Sequence, residues 1–369
     1  MRILVRAALN TYTGYGRDGV GLVKALEELG HQVYLMPDSL TPPLPYAALR
    51  PLSRPYEPPF HLAIVHLDPF MLHIPVGVRA TSARVVGWTM WEFESLAGRR
   101  GSSRRQIRRN LDWFDGVYAY DEVSKKAIQK YVPDNCQLEV LQGGYDASEW
   151  EWLPRDWSGV FRYCMVGALH KRKAPEKAVQ AFLELQEEHG AAFNAELHLK
   201  TVDVKLPEWW GEHPGIVTYD RIWEHDRMEK FYQNCHVYLA PSIGEGKNLP
   251  ALEAQTTGMA AIASNFGGHT GWLDPGYSYP LQVERKRYFR KGVGANASVS
   301  HLKELMWYAY THREEVRKKG MLASEIVRHE MDWKRKARLL VASAMEIPPR
   351  SLYSVEIGAE ERKIPGRVG

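Results

Sequence analysis

The stretch Pro241-Ser242-Ile243-Gly244-Glu245-Gly246-Lys247-Asn248-Leu249-Pro250-Ala251-Leu252-Glu253-Ala254 decides how this chain reads. Before it stands His236-Val237-Tyr238-Leu239-Ala240, a short apolar run that predicts a buried strand. After it, Leu252-Glu253-Ala254-Gln255 opens a helix, with Pro250 near the first turn, where proline is tolerated. A glycine-bearing loop between a strand and a helix amino terminus presents backbone N–H groups and a positive dipole end to an anion or a hydroxyl-rich ligand. Two carboxylates frame that loop, Glu245 within it and Glu253 a turn into the helix.

The same alternation of strand and helix extends in both directions. Ile3 to Leu9 predicts a first strand, Asn10 to Arg17 a glycine-bearing loop, and Val20, Leu22, Val23, Leu26 and Leu29 the apolar side of a helix ending at Gly30. His31 to Met36 is the next strand, completing a βαβ unit. Gly14, Gly16 and Gly19 approach the dinucleotide fingerprint only if Gly19 is counted, and Gly19 falls inside the helix. A dinucleotide site is therefore set aside. Residues 37–59 hold eight prolines and predict a long irregular loop. Leu62 to Val65 delivers His66 and Asp68 at its carboxyl end, and Val85 to Met90 delivers Trp91, Glu92 and Glu94. Open α/β sheets bind ligands at such ends.

A second set begins with the strand Phe161 to Gly167 and a helix from Pro175 to His189. It continues through strands at 197–201 and 215–218, a helix at 223–234, and a strand at 259–263. That last strand runs into the glycine loop Ser264 to Gly271, whose backbone amides would suit hydroxyls or phosphate of a ligand. Two such sets predict an α/β protein of two doubly wound, Rossmann-like domains facing a central cleft, at 1–150 and 155–335. Residues 348–369 read as an extended tail.

Composition narrows the function without naming it. The 369 residues are 44% hydrophobic and 25% charged, with a net charge of +4, so no global field calls for a nucleic-acid partner. Cys136, Cys164 and Cys235 lack metal-ligand spacing and read as buried thiols in a reducing, cytoplasmic setting. The first residues read as a strand and not a signal peptide, and no run is long and apolar enough to span a membrane. The sharpest charge cluster is Arg99, Arg100, Arg104, Arg105, Arg108 and Arg109. It is either a solvated helix face or a dock for a polyanion such as nucleic acid, anionic lipid or a phosphorylated glycan.

With seven residues between Glu245 and Glu253, the setting Glu-Gly-x-x-Leu-Pro-x-Leu-Glu-Ala resembles the Glu-x7-Glu signature of retaining GT-B glycosyltransferases of family four. Thr89-Met90-Trp91-Glu92 resembles a segment of phage and bacterial members. The resemblance implies a GT-B fold, a nucleotide-sugar donor, UDP- or GDP-linked, and transfer with retention. No cofactor and no metal are implied. Glu245 would meet the donor sugar and Glu253 the ribose. Gly14, Gly16, Arg172, Lys173, Gly246, Asn248 and Leu249 would line the donor site, and His66 joins Glu245 as a catalytic candidate. The acceptor would lie on the first domain, near Trp91, Glu92, Arg104, Arg105 and Arg108; modified DNA, anionic lipid and an envelope glycan are the candidate acceptors. A final helix at 336–347, preceded by Trp333, would cross back to the first domain.

The family pattern Gly-Arg-Leu-x-x-x-Lys-Gly is met at Gly167, Leu169 and Lys173, but Ala168 replaces the arginine and Ala174 the second glycine. One diphosphate cation is thereby lost unless Lys171 or Arg172 substitutes. That loss leaves a rival reading in play, a non-catalytic GT-B scaffold that binds a glycan or nucleic acid.

Overall fold

Two parallel sheets, each with one reversal of strand order, organise the computed structural model, which describes residues 1–10, 13–40, 54–96, 101–202, 204–288 and 292–348. The first sheet holds β1 (Arg2–Leu9), β2 (Gln32–Leu40), β3 (Leu62–His66), β4 (Val85–Thr89), β5 (Gly116–Ala119) and β6 (Gln137–Val140), in the order β2-β1-β3-β4-β5-β6. The second holds β7 (Phe161–Gly167), β8 (Ala195–Thr201), β9 (Ile216–Tyr219), β10 (Val237–Ala240), β11 (Ala260–Ser264) and β12 (Tyr279–Leu281), in the order β12-β11-β10-β7-β8-β9. Every residue of β3, β4, β5, β10 and β11 is buried. Helices cover both faces of a parallel sheet, and its strands therefore read as continuous apolar runs.

The order of strands fixes where a ligand can enter. In the first sheet the chain reverses between β1 and β3, and in the second between β7 and β10. At such a switch point the connections leave in opposite directions and open a crevice at the carboxyl ends of the strands. The residues following β1, β3, β7 and β10 are those of the segments 10–17, 66–68, 167–173 and 241–248, so both crevices carry the candidate site residues.

Three local features differ from the sequence expectation. β2 continues past Pro37 to Leu40, because it is an edge strand and proline there removes no ladder bond; the pairing with β1 slips between Ala7 and Ala8. Residues 41–53 of the proline-rich segment lie outside the described residues, as do Arg99, Arg100 and the tail from 349, while 54–59 run as irregular chain. The helix after β1 begins at Gly14, so Gly14 and Gly16 occupy its first turn; Thr13 caps it, its hydroxyl accepting from the Gly16 N–H at 3.0 Å. An antiparallel hairpin, Val283–Tyr288 with Gly292–Ala297, was not expected, since its strand Val-Glu-Arg-Lys-Arg-Tyr is mostly charged and exposed. It reaches the first domain, where the Glu94 N–H donates to the Val293 carbonyl at 2.8 Å.

The last helix, Trp333–Glu346, packs into the core of the first sheet. Trp333, Ala337, Leu340 and Val341 join Ile3, Trp88 and Tyr118 in one buried cluster. Gly21 of the helix Gly14–Glu28 permits this approach, because a Cβ there would come within 2.2 Å of the Trp333 indole nitrogen.

Candidate functional site

The loop after β10 is built by close backbone approaches. Asn248, at φ 68°, takes the left-handed conformation that turns the chain into the helix Leu249–Thr256, and asparagine tolerates that conformation better than most residues. A Cβ on Gly246 would stand 2.6 Å from the Met90 sulfur, so the loop after β10 lies directly against the end of β4. From the other side, a Cβ on Gly268 would meet the Gly246 carbonyl oxygen at 2.0 Å, and the Gly268 N–H donates to the Glu245 carbonyl at 2.8 Å. The Gly268 amide, expected to be open to a ligand, is therefore committed to shaping the loop that carries Glu245.

Glu245 is 4% exposed and sits between two cations. Its Oε2 lies 2.9 Å from Arg172 Nη1 and its Oε1 lies 2.8 Å from Lys173 Nζ. Burial opposes ionisation, but Lys173 and Arg172 outweigh it and hold the carboxyl well below the usual range. Lys173 Nζ also donates to Asn248 Oδ1 at 3.2 Å, and Asn248 Nδ2 lies 3.0 Å from His269 Nε2. His269 Nδ1 is 3.0 Å from the Ser264 carbonyl, so that nitrogen carries the proton and Nε2 accepts from Asn248. Burial keeps this ring neutral, with its pKa lowered to about 4.

Glu253, also buried, is shared between the two halves of the chain. Its Oε1 accepts from Arg17 Nη1 at 2.9 Å and its Oε2 from the Tyr232 hydroxyl at 3.0 Å. Arg17 lies in the first turn of the helix after β1, so this pair closes across the cleft. A second closure joins Lys247 to Asp18 and to the Gly144 carbonyl. Arg172 makes a third through Glu92, at 3.2 Å. Behind Asp18, Tyr120 donates to Asp18 Oδ2 at 3.0 Å and its oxygen lies 2.6 Å from His66 Nε2. His66 is fully buried and burial lowers its pKa to about 4.

Between the sheets lies a cavity of about 580 Å³. It brings together Gly14, Trp91, Glu92, Arg172, Lys173, Glu245, Gly246, Asn248 and Leu249, all singled out from the sequence. An adjoining space of about 350 Å³ holds Glu253 with Trp150, Trp223 and His225, and shares Arg17, Asp18 and Leu249 with the first. Gly16 faces Asn10 inside the fold, and His66 stands behind Tyr120; neither lines the cavity. Arg105 and Arg108 are exposed on the helix Gly101–Leu111, away from the cavity lining, and the Arg104 side chain is not described. Arg17, Asp18, Lys247 and His269 were not anticipated. For Arg17 the available signal was its place as the first cation after β1, at the switch point.

Residues 161–286 match the family model described as glycosyl transferases group 1. The second sheet is a glycosyl transferases group 1 domain. Over almost the whole chain the fold is that of GT-B structures. Sucrose-phosphate synthase from Thermosynechococcus elongatus aligns with a TM-score of 0.65 at 14% identity, covering 93% of this chain and 98% of that one. Anabaena HepE, in complex with UDP and glucose, aligns with a TM-score of 0.60 at 11% identity, covering 93% and 99%. An E. coli structure described as "Trehalose-6-phosphate … bound with UDP-2-fluoro glucose" gives 0.66 at 12% identity, covering 95% and 100%. No curated protein sequence matches the chain. The fold resemblance inferred from the Glu245–Glu253 motif is thereby shown.

Proposed function

We propose that this protein is a retaining glycosyltransferase that moves a sugar from a nucleotide-sugar donor to an acceptor held on the first domain. The observation that carries the reading is Glu245, a buried carboxylate kept ionised by Arg172 and Lys173 at the switch point of the glycosyltransferase-family domain. Ala168 lines the same cavity as Arg172 and Lys173. Arg172 therefore stands in for the arginine missing at 168, which weakens the case for a non-catalytic relative. On this reading the diphosphate draws Arg172 and Lys173 partly away from Glu245, leaving its carboxylate for a donor-sugar hydroxyl and for positive charge developing on the ring. Glu253 retains acceptor capacity beside Arg17 and Tyr232 for the ribose diol.

Transfer breaks the bond between C1 and the diphosphate oxygen and forms a bond from C1 to the acceptor oxygen on the same face. The acceptor's hydroxyl proton passes to the departing diphosphate, so charge and atoms balance without a covalent enzyme intermediate. Arg172 and Lys173 supply the cationic stabilisation of the leaving group, which supports a metal-independent reaction. His66 acts through Tyr120 and Asp18 as a positioning residue. The UDP bound in HepE favours a UDP-linked donor. The exposed Arg105 and Arg108 remain the candidate contacts for a polyanionic part of the acceptor, and the three buried free cysteines suit a cytoplasmic setting.

A thermal-shift screen with UDP, GDP, ADP, TDP and their sugars tests the reading. A ligand at 100 times its dissociation constant adds about 2.7 kcal/mol of stability. Stabilisation by one nucleotide and its sugars is expected; no shift with any of them would overturn the assignment.

A further inference from the structure

The cavity has two chemically different walls. On the second domain Arg172 and Lys173 face inward and are both paired with Glu245. On the first domain the wall is largely aromatic and acidic: Trp91, Glu92, Tyr15, Asp18 and Asp68 line it, and Arg17, the cation there among the described residues, is paired with Glu253 and Glu149. The Trp91 indole is half-buried, packs edge-on against Phe70 at 5.3 Å, and is fixed by its N–H donating to the Ser95 carbonyl at 3.2 Å. Glu92 is tied to Arg172. Asp68 differs. One of its oxygens accepts the Phe70 N–H at 2.8 Å, and among the described residues it is the lining carboxylate with no cationic partner.

We propose that this wall receives the reacting end of the acceptor and that this end is a neutral sugar, hydrogen-bonded to Asp68 through its hydroxyls and stacked on Trp91. The inference rests on the glycosyltransferase reading and adds the chemical class of the acceptor. A sugar ring offers an apolar C–H face, which a fixed indole matches, and hydroxyl donors, which a carboxylate acceptor matches. A phosphate or carboxylate in the same place would face Asp68 with no cation between them, and like charges so placed are strongly disfavoured. The cations that line the cavity are already engaged: Arg17 with Glu253, Arg172 with Glu245 and Glu92, Lys173 with Glu245, and Lys247 with Asp18. An acceptor that is polyanionic elsewhere, and so able to use the arginine helix, would still present an uncharged end here. An ammonium-bearing sugar also satisfies Asp68.

Purified full-length protein is given the nucleotide sugar selected by thermal shift, and release of the nucleoside diphosphate is followed with four matched probes: glucose, glucosamine, glucuronate and glucose 6-phosphate. Methyl galactoside and methyl mannoside extend the neutral arm. At least one neutral sugar or glucosamine should accelerate release above the hydrolytic baseline, with kcat/KM at least tenfold above both anionic probes. Asp68→Asn should lower kcat/KM for the accepted sugar about tenfold or more, as expected for a hydrogen bond to a charged group, and narrow the gap to the anions, while the nucleotide Kd is unchanged. Trp91→Leu should raise KM with little change in kcat, and Trp91→Phe should restore part of the loss. Preference for an anionic probe, no acceleration by any neutral or amino sugar while hydrolysis proceeds, or an unchanged neutral-to-anionic ratio in Asp68→Asn would overturn the proposal. Loss of nucleotide binding and hydrolysis in the unmodified protein would instead overturn the glycosyltransferase reading itself.

Discussion

Replacing Lys247 with methionine tests whether the two domains are joined by a buried charge pair. Lys247 is 3% exposed and Asp18 is 1% exposed. Lys247→Met keeps the apolar stem but leaves the Asp18 carboxyl buried against Tyr120 without its cationic partner. Breaking a buried pair on one side costs about 3–5 kcal/mol. For a domain of this size each kcal/mol moves the midpoint by about 2–4 °C, so a fall of roughly 6–20 °C is expected at pH 7.5. His66 adds a pH signature. Burial lowers its pKa to about 4, with Asp18 raising it and Lys247 lowering it. In the unmodified protein the unfolded chain takes up that proton first, so stability falls as pH drops from about 6.5 towards 4. Without Lys247 the folded His66 protonates at higher pH and compensates Asp18 through Tyr120, so the gap between the two proteins should narrow in acid. Differential scanning calorimetry at pH 7.5 and pH 5 reads both effects. A loss under about 2 °C at pH 7.5, or a gap that widens at pH 5, would refute the reasoning; Lys247→Met with Asp18→Asn should recover part of the loss.

Both Arg172→Ala and Lys173→Ala should weaken UDP binding by about 10- to 100-fold in calorimetry, the worth of one charged hydrogen bond, whereas the exposed Lys171→Ala should leave it nearly intact. Equal losses in all three variants would mean the clamp is misplaced. Acid should destabilise the protein steeply between pH 6.5 and 4: His66, His236 and His269 are each lowered to about 4, chiefly by burial, and the unfolded state binds their protons first. Asp121, raised to about 6 by burial, opposes this between pH 6 and 4. A net uptake of protons on unfolding is therefore expected from chemical denaturation across this range, and flat stability would contradict the burial of these rings. If the arginine helix binds a polyanion, duplex DNA or anionic vesicles should bind at low salt, with log K for DNA falling by roughly 0.9 per phosphate neutralised for each tenfold rise in salt. Arg105→Ala with Arg108→Ala should reduce that slope, and no binding at low salt would leave the helix a solvated face.

Much of this architecture is legible in the order of residues, for a physical reason. Strands buried on both faces must be continuously apolar, so Leu62–Val65, Val85–Met90 and Val237–Ala240 stand out without any alignment. The helix Pro175–His189 was bounded by its proline and by the glycine that follows it. The hairpin after β12 escaped because its charged strand has no apolar alternation to find. Glu245 and Glu253 were recognisable because their spacing is local. Their partners were not: Arg17 lies 236 residues from Glu253 and Asp18 lies 229 residues from Lys247, distances that no local pattern encodes. Ala174 illustrates the remaining gap. The sequence showed only that alanine stands where the family pattern has glycine; the backbone shows φ 49° there, a conformation in which alanine is strained and glycine is at ease.

The central claim is that Glu245 serves the sugar and not the nucleotide, and one comparison tests it most directly. Unmodified protein and Glu245→Gln are given the same UDP-sugar and an accepted sugar, with UDP affinity read by calorimetry and the product anomer by proton NMR. The substitution removes the charge that engages Arg172 and Lys173, so UDP should bind as tightly as before or more tightly. Turnover should fall by about 10²-fold or more, as when one preorganised group is removed from a transition-state site. The product of the unmodified protein should keep the donor's anomeric configuration. Undiminished turnover in Glu245→Gln, or a product of inverted configuration, would contradict the account.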